Sequence, residues 1–216
     1  MKIENKIEKR IYAIKCETRA DAETSMPVLV GMPIVYNSQS NDLGYGDWKF
    51  FETVLPGAAT AALTTSDIRA LWNHSTETLP LGRNRSNIQP NGHRTLELRE
   101  LGTGVESRIY PPDTEFGRGV VQAIERGDVS TMSFAFLVGE QAFTEDLENR
   151  IDYRTIKTFS ELFDISPVVY AAYPETNIVA EARARDRTEV QKVLMELRNR
   201  DRDANAAILY NTINWR

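Results

Sequence analysis

The sequence predicts a mainly β fold with peripheral helices, an α+β protein arranged as a barrel or a sandwich. Many short segments alternate apolar and polar residues with the two-residue period of a β-strand. Glycine, proline and asparagine separate these segments at short intervals, as turns require. The chain has 216 residues and can bury about 70% of its extended surface, so it needs neither a disulfide nor a metal to fold.

Several segments in the first half of the chain have strand character. They are residues 11–17, 27–36, 48–54, 67–74, 87–89, 94–100 and 105–110. Proline and glycine within residues 27–36 predict a bulged or edge strand, and Pro90-Asn91-Gly92 is a hairpin turn pattern. In residues 67–74 the alternation places His74 on the same face as Trp72. An alanine-rich segment, residues 58–63, favours two helical turns.

One segment in the middle of the chain predicts an amphipathic helix. Thr114 is a suitable N-cap, and Phe116, Val120 and Ile124 recur at spacings of four. Gly127 is placed to end the helix.

The segment after this helix predicts long strands. Residues 129–138 alternate, with bulky apolar side chains on one face and Ser133 and Ala135 on the other. Residues 140–153 are polar and predict a long exposed hairpin or flap, and residues 155–170 predict one or two further strands.

The composition changes near Ala180, which predicts two regions. Residues 1–180 form the β domain, and residues 181–216 form a charged tail. Within the tail, Thr188-Glu189-Val190-Gln191 is a capping-box pattern ahead of an amphipathic helix.

Charge and hydropathy exclude several classes of partner. The net charge of −5 argues against sequence-independent binding to nucleic acid, which requires basic patches. No apolar run approaches the ~20 residues of a membrane span, and the first residues have no signal-peptide core. We therefore expect a cytosolic protein with no nucleic-acid or membrane partner.

The residues that could hold a metal or a cofactor are few. Cys16 is the single cysteine, which excludes an internal disulfide, and with only His74 and His93 a Cys/His zinc site is not expected. The 31 acidic residues leave an all-oxygen Mg²⁺ or Ca²⁺ site open, although none has EF-hand spacing. No glycine-rich phosphate-binding loop is present, so we expect no cofactor.

Candidates for nucleophilic catalysis are also few. A serine becomes a useful nucleophile when an imidazole takes its proton and a third polar group orients that imidazole. Ser133 lies beside the small Ala135, and His74 ends an apolar strand, although a packed serine and a core histidine are simpler interpretations of these residues alone. Asp164 lies in an apolar strand, where an unpaired carboxylate is costly.

The remaining candidates compete with these three. Glu161 is the alternative acid, and its parity is opposite to that of Asp164, so a regular strand would not turn both to one site. His93 lies in a turn, where we expect a solvated ring, and Cys16 is interpreted as a buried, inert thiol.

Three ordered segments resemble the prohead (capsid maturation) protease family of tailed bacteriophages, whose fold is similar to the herpesvirus assemblin serine proteases. The first runs from Glu52 through Pro56-Gly57-Ala58 to Leu71-Trp72-Asn73-His74, followed by Leu81-Gly82-Arg83. The second runs from Gly127-Asp128-Val129 through Met132-Ser133-Phe134-Ala135-Phe136, where the family usually has glycine in place of Ala135. The third is Leu162-Phe163-Asp164-Ile165-Ser166-Pro167-Val168 with Ala172-Tyr173-Pro174, where the family more often has glutamate in place of Asp164.

The resemblance implies an assemblin-like β-barrel and a serine endopeptidase. By this resemblance His74 is the general base, Ser133 the nucleophile and Asp164 the group that orients His74. It also implies that the substrates are the scaffold or the N-terminal scaffolding segment of the major capsid protein, and the protease itself. The enzyme is expected inside the assembling procapsid in the bacterial cytoplasm, as a homo-oligomer such as a dimer, whose charged tail docks on the scaffold or is removed.

Two functions of other classes stay open at this stage. One is a non-catalytic capsid scaffold or decoration protein on the same fold. The other is a hydrolase of small esters that uses the same chemistry.

Overall fold

A computed structural model describes residues 7–12, 16–20, 26–44 and 47–169. Its strands are β1 Glu8–Tyr12, β2 Glu17–Arg19, β3 Val28–Val35, β4 Lys49–Val54, β5 Arg69–Ala70, β6 Gly82–Arg83, β7 Leu96–Leu101, β8 Gly104–Ile109, β9 Thr131–Asp146 and β10 Ile151–Val168. Its helices are α1 Thr60–Thr65 and α2 Glu115–Glu125. The predicted domain boundary at residue 180 and the tail at 181–216 lie outside the described residues.

The described strands form two sheets. One has six strands in the order β1-β9-β10-β5-β6, with β4 also paired to β10, and the other has four in the order β2-β3-β8-β7. Because β10 is 18 residues long, its first half pairs with β4 and its second half with β5, both in parallel, while β9 runs antiparallel along its other side.

The mainly β prediction is confirmed, but closure into a barrel is not observed. Over the described residues, β1 and β6 end the larger sheet and β2 and β7 end the smaller one, without the edge-to-edge hydrogen bonds that a barrel requires. The two sheets share one apolar core. Within this core the rings of Phe134, Phe136 and Phe159 pack together, with centroids 4.7–5.7 Å apart.

The clearest predicted elements are confirmed. The Thr114 side chain caps α2 by accepting from the Gly117 backbone N–H, and Gly127 adopts a left-handed φ of 80° just after the helix. Strand β3 carries the predicted bulge, between Gly31 and Ile34. Residues 140–153 form a hairpin, since β9 and β10 extend to either side of a turn at residues 147–150.

Three strand predictions were wrong. The two described ends of the predicted strand at 11–17 belong to different sheets: Ile11 and Tyr12 lie in β1, which pairs with β9, and Glu17 lies in β2, which pairs with β3. Residues 87–89 form no strand; the 90–92 turn is present, but the partner of β7 is β8. Of residues 67–74, only Arg69–Ala70 is a strand. Within the described residues, no helix is long and apolar enough to cross a bilayer.

Candidate active site

His74 reaches the site through a left-handed turn and not through strand alternation. Asn73 and His74 have φ angles of 53° and 58°, a conformation that non-glycine residues rarely adopt. Two backbone hydrogen bonds to β10 hold this segment, from Leu71 to Ile165 and from Asn73 to Pro167, each 3.0 Å long. The alternation argument for His74 was therefore wrong, although the residue itself lies at the site.

Ser133 lies in β9 with a fully buried side chain. It is directly opposite Ser166 of β10 and Ile11 of β1. This register places its hydroxyl on the face of β9 that carries Ala135, away from the packed phenylalanine rings, as the alternation of residues 129–138 predicts.

Asp164 is turned to the same face by a β-bulge in β10. Leu162 lies opposite Phe136, but Asp164 lies opposite Ala135, because the register shifts between them. Directly opposed residues share a face, so the extra residue moves Asp164 from the core face to the face of Ser133.

The register of β10 also corrects the parity argument against Glu161. Glu161 lies opposite Leu137, on the same face as Asp164, because β10 is not a regular strand. Glu161 is solvent-exposed and lies further along the hairpin, whereas Asp164 is 7% exposed and contacts His74.

The three predicted side chains form one chain of hydrogen bonds. His74 Nδ1 lies 2.6 Å from Asp164 Oδ1, and His74 Nε2 lies 2.5 Å from Ser133 Oγ. A carboxylate only accepts hydrogen bonds, so Nδ1–H donates to Asp164 and Nε2 is left to accept from the serine hydroxyl. In this tautomer His74 can remove the Ser133 proton.

Ser166 is a member of the site that the sequence analysis missed. Its buried hydroxyl donates to Asp164 Oδ1 over 2.6 Å, so this oxygen accepts from both Ser166 and His74. The two-residue spacing in Asp164-Ile165-Ser166 could have indicated this contact, because such residues share a face of a strand.

The two remaining candidates, His93 and Cys16, do not contact His74, Ser133 or Asp164. The His93 side chain is 36% exposed, is hydrogen-bonded to Glu97 and stacks on Tyr110. Burial and the nearby charge of Glu17 raise the pKa of the Cys16 thiol to about 12, which fits an unreactive cysteine. Among the residues that the structure describes, no group of His, Cys, Asp and Glu side chains is placed to hold a metal ion.

An Asp–His–Ser chain of hydrogen bonds is the arrangement by which many serine hydrolases activate their nucleophile. The sequence model of the caudovirus prohead serine protease family matches residues 14–192, and the chain belongs to this family. The family resemblance noted in the sequence is thereby confirmed.

Among solved structures, the bacteriophage T4 capsid assembly protease is similar, at 13% identity and a TM-score of 0.47. The match covers 77% of this chain and 98% of that one. No curated protein matches.

Proposed function

We propose that this protein is the maturation endopeptidase of a phage prohead. It cleaves the scaffold or the N-terminal scaffolding segment of the major capsid protein, and itself, within the assembling procapsid in the bacterial host cytoplasm. The observation that carries the proposal is the chain of short hydrogen bonds from Asp164 through His74 to Ser133. Membership of the prohead serine protease family supports the choice of substrate.

The proposed mechanism is acyl transfer in two steps. His74 Nε2 takes the Ser133 proton as Oγ bonds to the peptide carbonyl carbon, and the imidazolium returns that proton to the leaving amine. Water, deprotonated by the same nitrogen, then releases the acyl group and restores the serine. Asp164 holds the required tautomer and stabilises the imidazolium, and Ser166 fixes the carboxylate by donating to it.

Enclosure in a capsid suits such an enzyme. Confinement of protease and substrate together raises their effective concentration, so peptide cleavage does not depend on tight binding from dilute solution. A homo-oligomer, such as a dimer, is also part of the proposal, because the family resemblance implies one.

The test is co-expression of the chain with the capsid protein of its own phage, followed by mass spectrometry of the products. Wild type should yield trimmed capsid protein and trimmed protease, whereas Ser133→Ala should leave both intact. Ser130→Ala is the matched control, because Ser130 is exposed and lies just before β9. Intact products from wild type would favour a non-catalytic scaffold, and ester hydrolysis without peptide cleavage would favour a small-ester hydrolase.

A further inference from the structure

We infer that the edge of β9 beside Ser133 is the binding site for an extended substrate peptide, and that β1 occupies this edge as an intramolecular inhibitor. The inference rests on the proposed function, because it assigns the substrate position of the same site. It also implies that β1 must leave before the enzyme can act.

Strand β1 occupies the position that an added substrate strand would take. It ends the larger sheet and runs antiparallel to β9, from Glu8 opposite Phe136 to Tyr12 opposite Met132. Without β1, β9 would present its backbone N–H and C=O groups along the stretch that includes Ser133. Such an edge binds extended peptides by strand addition.

The contact of β1 with Ser133 blocks catalysis in two ways. The Ser133 side chain is fully buried, so no external carbonyl can approach it. Its Oγ also lies 2.9 Å from the backbone carbonyl oxygen of Arg10. The hydroxyl has one proton and two acceptors, Arg10 O and His74 Nε2, so the β1 carbonyl competes with the base for that proton.

Four buried charges anchor β1. Arg10 Nε lies 2.7 Å from Glu52 Oε1, and Arg10 Nη2 contacts a Glu8 oxygen. Arg154 Nη2 lies 2.8 Å from Glu8 Oε1, and Arg154 Nη1 lies 2.8 Å from Glu52 Oε2. These side chains are at most 9% exposed, and two of them belong to β1.

The same cluster can release β1 without leaving an unpaired charge in the protein. When β1 departs, Glu8 and Arg10 leave together, one of each sign, and Glu52 and Arg154 keep their 2.8 Å contact. Buried ion pairs gain little net stability over their hydration in water, since desolvation offsets most of the attraction. The cluster therefore specifies where β1 docks without making its departure prohibitive.

The experiment measures the rate at which a fluorophosphonate reagent labels Ser133 in the full chain. In labelling, the Oγ–P bond forms, the P–F bond breaks, fluoride leaves and His74 takes the serine proton. The test variant exchanges the two charges of β1, Glu8→Arg with Arg10→Glu. A positive charge at position 8 then faces Arg154, and a negative charge at position 10 faces Glu52. The amino-acid composition of the chain is unchanged. The labelling rate is proportional to the fraction of chains in which β1 has left the edge of β9. Because the exchange weakens the docking of β1, we expect the labelling rate to increase by about tenfold or more.

The matched control is the same exchange on a strand remote from the site. Glu106 and Arg108 of β8 are also two residues apart and form a 3.5 Å ion pair, with Arg108 47% exposed. Glu106→Arg with Arg108→Glu should leave the labelling rate at the wild-type value.

A disulfide lock gives an independent answer if the exchanged chain fails to fold. Lys9 and Ala135 are directly opposite, so Lys9→Cys with Ala135→Cys ties β1 to β9 when oxidised. Labelling should be at least about tenfold slower in the oxidised form than in the reduced form of the same protein. Glu97→Cys with Arg108→Cys, an opposed pair on β7 and β8, is the control lock and should show no redox effect.

The outcomes separate the two proposals. Faster labelling after the Glu8/Arg10 exchange, or slower labelling in the oxidised Lys9/Ala135 lock, supports the inhibitory strand. Equal labelling of the oxidised and reduced lock would overturn it while leaving the serine protease proposal standing. If no form labels above a Ser133→Ala blank, Ser133 is not an activated nucleophile, and both proposals fail.

Discussion

Replacement of Asp164 by asparagine tests how much of the catalysis comes from a negative charge behind His74. Both donors that reach this carboxylate, His74 Nδ1–H and the Ser166 hydroxyl, converge on Oδ1. An amide oxygen in the same position can accept both hydrogen bonds. Asp164→Asn therefore removes the charge at nearly unchanged shape, and where its amide NH2 turns to Nδ1 instead, the wrong tautomer of His74 lowers the rate further.

The size of the effect follows from the charge that develops on His74. In the proposed mechanism the imidazole takes the serine proton, and its positive charge then lies close to the carboxylate, whose Oδ1 is 2.6 Å from Nδ1. Opposite unit charges about 4 Å apart attract by about 4 kcal/mol at an effective dielectric constant of about 20. Loss of that attraction in the transition state corresponds to about a 10³-fold lower rate.

The assay is a time course of capsid-protein trimming, quantified by mass spectrometry, alongside fluorophosphonate labelling of Ser133. Glu161→Gln is the matched control, because Glu161 lies on the same face of β10 but is exposed. It should leave both rates within about twofold of wild type, since changes at exposed charges are worth little. A loss below tenfold for Asp164→Asn, or an equal loss for Glu161→Gln, would refute the assignment of the acid.

Four further predictions concern the support of the site and the stability of the fold. Ser166→Ala removes a buried charge-assisted hydrogen bond worth ~1.5–3 kcal/mol of stability, so the melting temperature should fall by several degrees. Capsid trimming by the folded variant should also slow by about tenfold or more, because the carboxylate behind His74 is no longer fixed; an unchanged rate would deny Ser166 a positioning role. Arg154→Met leaves two buried carboxylates, Glu8 and Glu52, to share the single cation Arg10, and urea titration should show a loss of about 3–5 kcal/mol of unfolding free energy. Burial raises the pKa of the Glu8 carboxyl, but the Arg154 hydrogen bond and the charges of both arginines outweigh it and hold the pKa below its ordinary 4.5. The stability from this depressed pKa is complete above pH 4.5 and is lost as the pH falls further, so Glu8→Gln should flatten the acid limb of a denaturation profile. Because burial raises the pKa of Cys16 to about 12, a thiol reagent at pH 8 should modify it in urea but not in the native protein; rapid native modification would contradict its burial.

The local features of the fold were predictable because they depend on neighbours in sequence. The cap at Thr114 and the stop at Gly127 follow from side-chain and backbone chemistry within a few residues. The alternation around Ser133 placed its hydroxyl opposite the phenylalanine face, as observed. The scarcity of histidines and the ordered family motifs then singled out His74, Ser133 and Asp164.

The features that were mispredicted depend on contacts between residues far apart in the chain. Residues 67–74 have strand periodicity, but β10 draws the end of this segment into a left-handed turn through hydrogen bonds to Ile165 and Pro167. The parity argument about Glu161 failed because register shifts in β10 are set by its pairing with β9. Neither effect has a local cause that a periodicity argument can detect.

By itself, the sequence determined the chemistry available to this protein: one imidazole in an apolar segment, a serine beside a small residue and a carboxylate in a strand. Only the tertiary structure decided how these groups meet, through the turn at His74, the bulge before Asp164 and the docking of β1 over Ser133. The physical reason is that side-chain identity and local propensity are properties of short segments. The direction of a side chain at a bulge or a turn is fixed by backbone hydrogen bonds to strands that lie tens of residues away in the chain.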